Sequence, residues 1–286
     1  MLAYRHAFHA GNHADVLKHL VLLLVLQHLL QKEKGLRYID THAGAGGYSL
    51  HSAYARKTSE YAQGIARLWS LRTGGQPEGP APVSAYLDLV QSFNGGAAEL
   101  RQYPGSPAVA HALLREQDEM HLMEMHATDH RILASWLDSV RSGSVMLGDG
   151  FDLLKAKLPP PSRRALVLMD PSYELERDYA RVVQSLRDAL QRFSAACCLV
   201  WYPQVGRVEA AQLPRRLKAL APKSWVHARL SVQAPDAQGF GLQGSGVVVI
   251  NPPHTLHAQL QQLLPWLRDQ LAQHDQASWL LEQHAA

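Results

Sequence analysis

The sequence predicts an α/β fold: a mostly parallel, Rossmann-like sheet with helices on both faces, a terminal antiparallel hairpin and a small helical insert. Short runs rich in Leu and Val alternate with helical patterns through residues 120–220, and repeated strand–helix units build parallel sheets. The last two apolar runs, 225–233 and 245–251, have no helix between them and read as a hairpin. The third observation is an abrupt stop: LVLMD (166–170) runs straight into Pro171-Ser172-Tyr173, at the kind of strand end where open α/β sheets bind ligands.

In chain order, Asn12 is a candidate cap for a helix running to about Gln31, with Leu17, Leu20, Val21, Leu24 and Val25 on its apolar face. Its core, LVLLLVLQHLL (20–30), is too short for a membrane span and is flanked by Lys18 and Lys32, so a buried helix is expected. Residues 36–40 form a first strand. Helices are expected at 60–72 and 83–93, separated by the loop TGGQPEGPAP (73–82), and another from Gly105 to about Glu116. The stretch 50–105 lacks a good strand and reads as an insert within one domain spanning 1–286. Strands at 120–125, 144–148, 165–170 and 196–202 then alternate with helices at 128–140, 150–157, 176–193 and 207–220. A final helix covers about 256–272.

Of 286 residues 47% are hydrophobic and 19% charged, with a net charge of +3. That suits a soluble protein with an ample core and permits an anionic partner without requiring one. The two cysteines, Cys197 and Cys198, are adjacent in an apolar run and suggest a reduced, cytoplasmic protein. No secretory signal is visible.

The chemistry concentrates at strand ends. Asp170, Pro171 and Tyr173 suit reaction at the exocyclic amine of a flat base: a carboxylate and a turn carbonyl accept the two N–H groups, and a ring stacks on the base. The alternative is an Asp that caps the following helix. After the first strand comes Asp40-Thr41-His42-Ala43-Gly44-Ala45-Gly46-Gly47, whose small residues permit close backbone approach to a ligand. It lacks the Lys-Ser/Thr of a phosphate-binding loop, and Ser49 stands where a dinucleotide fingerprint has its third glycine. Glu124, near the end of the next strand, is suited to accept ribose hydroxyls, although it lies far beyond the usual ~20-residue spacing. Asp149-Gly150 closes a third strand; its carboxylate either accepts from an adenine amine or caps the next helix. Together Asp40, Glu124 and Asp149 suggest an adenosine pocket beside Asp170. Asn251-Pro252-Pro253-His254 also follows an apolar strand and reads as a structural strand end. His6, His9, His13 and His19 cluster near Tyr4, Arg5 and Lys18; without cysteines this suits phosphate and base contact better than metal. Lys155, Lys157, Arg163 and Arg164 form a second basic patch or a solvated surface.

The segments MLAYRHAFHAGNHADVLKH, YIDTHAGAGGY, YPGSP, LMEMH, DGF, LMDPSYE and VINPP, in this order, closely resemble the ribosomal RNA large-subunit methyltransferase J family over essentially the whole chain. The resemblance implies an S-adenosylmethionine-dependent enzyme that methylates N6 of an adenine in 23S ribosomal RNA. It implies cofactor contacts at His19, His42, Ser106, Glu124, Asp149, Gly150 and Asp170, with Asp170 also the proton acceptor. Tyr4 matches an RNA-contacting residue, and His6 and Lys18 are further substrate-side candidates. The family's DPPY is DPSY here: Ser172 keeps the carbonyl but loses a ring that stiffens the turn. No metal or membrane partner is expected, and a monomer is. The rival readings are methylation of a protein amide or small amine, and an RNA-binding factor without turnover.

Overall fold

The computed structural model describes residues 5–77, 79–140, 143–221, 223–234 and 241–285. Helix α1 (His13–Leu29) is capped by Asn12, whose side chain accepts from the amides of Ala14 and Asp15. It is buried on every side from His13 to Leu26, as its unbroken Leu/Val run demands. Strand β1 (Arg37–Asp40) follows, then β2 (Gly47–Ser49), α2 (Ala53–Thr58), α3 (Ile65–Thr73), α4 (Ala81–Phe93) and β3 (Gln102–Pro104). The succession continues with α5 (Ser106–His111), β4 (Glu119–Glu124), α6 (Ala127–Val140), β5 (Ser144–Leu147), α7 (Gly150–Leu153), β6 (Ala165–Met169) and α8 (Glu176–Arg192). It ends with β7 (Cys197–Gln204), α9 (Val208–Leu220), β8 (Ser224–Ser231), β9 (Gly244–Ile250), α10 (Leu256–Leu271) and β10 (Ser278–Ala285).

Eight strands form one sheet in the order β10-β8-β9-β7-β6-β1-β4-β5, and β2 pairs separately with β3. Strands β5, β4, β1, β6 and β7 are mutually parallel. Strand β9 enters antiparallel between β7 and β8. This is a Rossmann-like sheet, and its strand order reverses between β1 and β6. A ligand site is expected outside the carboxyl ends of the strands at that reversal. Strand β6 is buried along its whole length, as a central parallel strand covered on both faces must be. The cysteines are free and buried.

The structure departs from the sequence reading in three places. Helix α5 ends at His111 instead of near Glu116, because Asp118 accepts from the amide and guanidinium of Arg115 and folds that segment into a turn. Strand β3 lies inside the stretch read as strandless; at three residues it is too short to show periodicity. Strand β10 was not expected at all. It is a half-exposed edge strand that joins β8 antiparallel, and its sequence carries little of the alternation that marks a strand with one buried face. No helix among the described residues is long and apolar enough to cross a membrane.

Candidate active site

The loop after β1 lies across the ends of three strands. The Thr41 amide and hydroxyl both donate to the Leu168 carbonyl on β6, at 3.1 and 3.0 Å. On the other side the Ala43 amide donates to the Met123 carbonyl on β4 (2.9 Å) and the Gly44 amide to Glu124 Oε2 (2.8 Å). Gly44 has φ +62°, and a Cβ there would meet the Tyr48 hydroxyl at 2.1 Å. Only glycine fits that conformation and that contact.

Under this loop opens a cavity of about 760 Å³, lined among others by Lys18, His19, His42, Ser106, Glu124, Asp149, Gly150 and Asp170, together with His6, Pro171 and Ser172. The residues expected to hold a cofactor are therefore brought together from β1, β4, β5, β6, α1 and α5. Glu124 accepts on both oxygens, from Gly44 and, at 2.6 Å, from the His126 amide. Burial pushes its carboxyl up against the pull of those two amides. Asp149 does both things the sequence allowed it: Oδ1 caps α7 through the Phe151 amide (3.0 Å), and the residue lines the cavity. Its Oδ2 is also ion-paired to Arg181 at 2.6 Å. A Cβ on Gly150 would fall 1.8 Å from the Thr41 carbonyl, so no other residue fits there. His42 stands edge-on to Phe151 and is held neutral, lowered to about 4 by burial.

His19 stacks on Tyr103 with ring centroids 5.4 Å apart and shares a 2.9 Å hydrogen bond with its hydroxyl through Nδ1. Burial, then the charge of Lys18, lowers it to about 3, so the ring is neutral. Its Nε2 is buried without a hydrogen-bond partner among the described residues, on a residue that lines the cavity. An orphaned buried polar atom is costly unless a ligand or water completes it. That atom, the two carboxylates Glu124 and Asp149, and the close backbone at Gly150 suit the donors and acceptors of S-adenosylmethionine.

Asp170 ends β6 beside this pocket. Lys18, more deeply buried than the part-buried Asp170, donates to Asp170 Oδ2 and lies 2.9 Å from Asp15 Oδ1. Asp15 Oδ2 in turn bonds His6 Nε2 and accepts from the Gly11 amide, each at 2.9 Å. Burial raises the Asp170 carboxyl to about 6, against the pull of Lys18. Burial works against Lys18 and Asp15 too, but their partners outweigh it. Lys18 stays well above its usual range and Asp15 well below.

Three sequence expectations change here, and one left open is placed. Lys18 was expected on RNA phosphate; its ammonium is instead buried between two carboxylates. Tyr173 was expected to stack on a base; its ring is 4% exposed, packs on Tyr179 and Trp201, donates its hydroxyl to the Trp201 carbonyl (2.6 Å) and does not line the cavity. Its φ of +53° turns the chain so that the ring enters the core while Pro171 and Ser172 stay at the cavity wall. Asp40 is fully buried and spent on the Tyr38 and Ser106 hydroxyls (2.9 and 2.6 Å) and the His42 amide; it orients Ser106 and does not face the pocket. The patch of Lys155, Lys157, Arg163 and Arg164 lies at the amino ends of the strands, where Arg37 donates to the Lys157 carbonyl and Arg164 precedes β6. It is remote from the chemistry. Tyr4 lies outside the described residues.

Antiparallel β9 explains the second tetrapeptide. Ile250 pairs with Cys198 near the start of β7, so Asn251-Pro252-Pro253-His254 sits at the opposite end of the sheet. Asn251 donates there to the Ser194 and Ala196 carbonyls. Tyr48, Asp15, Arg177 and Arg181 were missed by sequence reasoning. Asp15 alone had a readable signal, three residues before Lys18 on a predicted helix.

A family model described as "Ribosomal RNA large subunit methyltransferase D, RlmJ" matches residues 33–283. The ribosomal RNA large subunit methyltransferase J of Escherichia coli K12 is 44% identical over 285 residues, 98% of this chain and 99% of that protein. Its namesake from Haemophilus influenzae is 43% identical over 282 residues, 99% of this chain and 98% of that protein. The crystal structure of a Legionella pneumophila protein covers 96% of this chain and 98% of its own, with a TM-score of 0.86 and 33% identity. Those matches run through the glycine loop, the strand-end acids and Asp170 alike, and the chain belongs to the ribosomal RNA large-subunit methyltransferase J family.

Proposed function

We propose that this chain methylates the exocyclic N6 amine of one adenine in 23S ribosomal RNA, with S-adenosylmethionine as methyl donor. The observation that carries the reading is one cavity that holds Asp170-Pro171-Ser172 together with His19, Glu124 and Asp149. The names of the relatives, both ribosomal RNA large subunit methyltransferases, support it. When bound, the cofactor supplies an electrophilic methyl group on a sulfonium sulfur. Glu124 is assigned to the ribose hydroxyls, Asp149 and the backbone at Gly150 to the adenine end, and His19 Nε2 to a polar group of the amino-acid end.

The target base must leave its stack to reach Asp170 in the wall of the cavity. Asp170 then accepts an N–H of the amine, which aims the nitrogen lone pair away from the carboxylate, towards the methyl group. Lys18 keeps Asp170 ionised at neutral pH, and Asp15 and His6 hold Lys18 in place. The lone pair of this amine is delocalised into the ring, and the contact with Asp170 favours the pyramidal nitrogen on which it localises; no strong base is needed before attack. The ammonium formed afterwards is acidic, and Asp170 is the acceptor at hand. Tyr173 serves this arrangement by anchoring the turn, and base stacking is left to Tyr4 or the cavity rim. The segment 50–105 is read as an insert in one domain, and the enzyme as a cytoplasmic monomer.

The test is to follow tritium from labelled cofactor into ribosomal RNA or into protein, and to map N6-methyladenine in 23S RNA from cells with and without the gene. Label in protein, or an unchanged RNA map, would refute the reading.

A further inference from the structure

We propose that the outer face of α2, with the N-terminal turn packed on it, is the docking surface for single-stranded RNA flanking the target adenine. The inference rests on the methyltransferase reading and assigns the surface that reading lacks. Helix α2 buries only Ala55, while Tyr54 is 45% exposed and Arg56 and Lys57 are exposed. Phe8, in the short 3-10 turn His6–Phe8, packs edge-on to Tyr54 with ring centroids 5.0 Å apart. The Lys57 ammonium stands 5.8 Å from the Phe8 ring and the Arg5 guanidinium 5.9 Å from that of Tyr54. Thr58 donates to the Phe8 carbonyl and ties the two segments together.

Charge and position give this patch its partner. Neither Arg56 nor Lys57 is in an ion pair among the described residues; Arg56 only donates Nε to the His51 carbonyl at 2.8 Å. The nearby Glu60 is already spent on His9 and Asn12, at 2.9 Å each. The positive charge of α2 is thus uncompensated. Arg5, whose guanidinium also lies 4.0 Å from Asp129, belongs both to this platform and to the wall of the catalytic cavity, so the patch begins at the cavity. Cations interleaved with one exposed ring, Tyr54, and one half-buried ring, Phe8, suit a phosphate chain whose unstacked bases lie on aromatic and guanidinium planes. A target adenine that lies in an unpaired segment has such a strand on either side of it. The other basic cluster differs: Lys155 is paired with Asp188 at 3.1 Å, Arg164 donates to backbone carbonyls, and both lie at the far end of the sheet.

The experiment uses full-length enzyme and protein-free 23S ribosomal RNA. It compares Tyr54→Ala and the double variant Arg56→Gln/Lys57→Gln with a charge-matched control, Lys155→Gln/Lys157→Gln. Tyr54→Ala should weaken RNA binding roughly ten- to a hundredfold, the effect of a lost base–aromatic stack. The α2 double variant should raise KM for RNA and lower the slope of log affinity against log salt by up to about 1.4, or ~0.7 per lost phosphate contact. In both α2 variants kcat at saturating RNA, cofactor affinity by calorimetry and the thermal transition should stay as in wild type, and the control should match wild type throughout. Unchanged KM and slope in the α2 variants would overturn the docking surface while wild-type methylation stands. An equal loss in the control would also overturn it, by showing that net charge alone matters. Wild-type enzyme that puts no label into RNA would remove the functional reading itself, and this inference with it.

Discussion

Lys18 on α1 donates its buried ammonium to Asp170 at the end of β6, across 152 residues of chain. Neither position is explicable alone. A carboxylate as buried as Asp170 would be driven neutral, and an ammonium as buried as Lys18 would lose its proton, yet each keeps the other charged. The pair sits where a strand-order reversal opens the sheet, so an interaction that orders the fold also sets the charge of the reacting site.

Asp170→Asn should lose nearly all methyl transfer and keep a cooperative thermal transition, because Lys18 retains Asp15 as a partner. Its cofactor affinity should fall far less than its kcat. Substantial turnover in steady-state assays of this variant would remove Asp170 from the mechanism.

The pH dependence follows from the same carboxylate. Burial raises Asp170 to about 6, so kcat should fall as pH drops through about 6 and the acceptor is protonated. Stability runs the other way for this group. Its folded pKa exceeds the ordinary carboxylate value of 3.8, so its contribution is fully present below that value and is lost as pH rises through about 6. The difference in unfolding free energy between wild type and Asp170→Asn should change across that window. A flat difference from pH 4 to 7 would contradict the raised value.

Lys18→Met should destabilise the fold by about 3–5 kcal/mol, the cost of leaving buried carboxylates without their cation. Urea titration checks this. A merely phosphate-binding lysine would change the salt dependence of RNA binding and leave stability nearly untouched, so the two roles separate cleanly.

Much of this was legible in the sequence, for physical reasons. Parallel strands buried on both faces are written as continuous Leu/Val runs, so β6 and β7 could be placed to within two residues. The acids ending β4, β5 and β6 could be named, because a charge after such a run has few structural excuses. What could not be read was direction. Nothing local says that the Tyr173 ring turns inward at φ +53°, that Asp40 faces Ser106 and not the pocket, or that Lys18 points to β6. Those depend on contacts across the whole chain. Strand β10 failed differently: a half-exposed edge strand with no fully buried residue has no buried face to imprint a period on its sequence.

Glu124→Ala should weaken S-adenosylmethionine binding by about 1.5–3 kcal/mol, the range for hydrogen bonds to a charged group. RNA affinity should hardly change. The variant also frees the Gly44 and His126 amides that Glu124 now accepts from, so some loss could reflect a loosened loop. Glu124→Gln separates the two effects, since its carbonyl oxygen can still accept from one amide while the charge is gone. Calorimetry with both variants is the check, and unchanged cofactor affinity in both would place Glu124 outside the site.

Deletion of residues 1–9 should abolish RNA methylation and leave most cofactor binding intact. The deletion removes Arg5 from the cavity wall, His6 from Asp15 and Phe8 from its contact with Tyr54. It leaves His19, Glu124 and Asp149 in place, and Asp15 still accepts from the Gly11 amide and pairs with Lys18. The expected signature is therefore calorimetric binding of S-adenosylmethionine close to wild type beside a lost transfer rate. A truncated enzyme that methylates its RNA at the normal rate would reduce the N-terminal segment to packing, and the wall of the substrate site would then have to come from other residues of the cavity, such as Leu175 and Arg177.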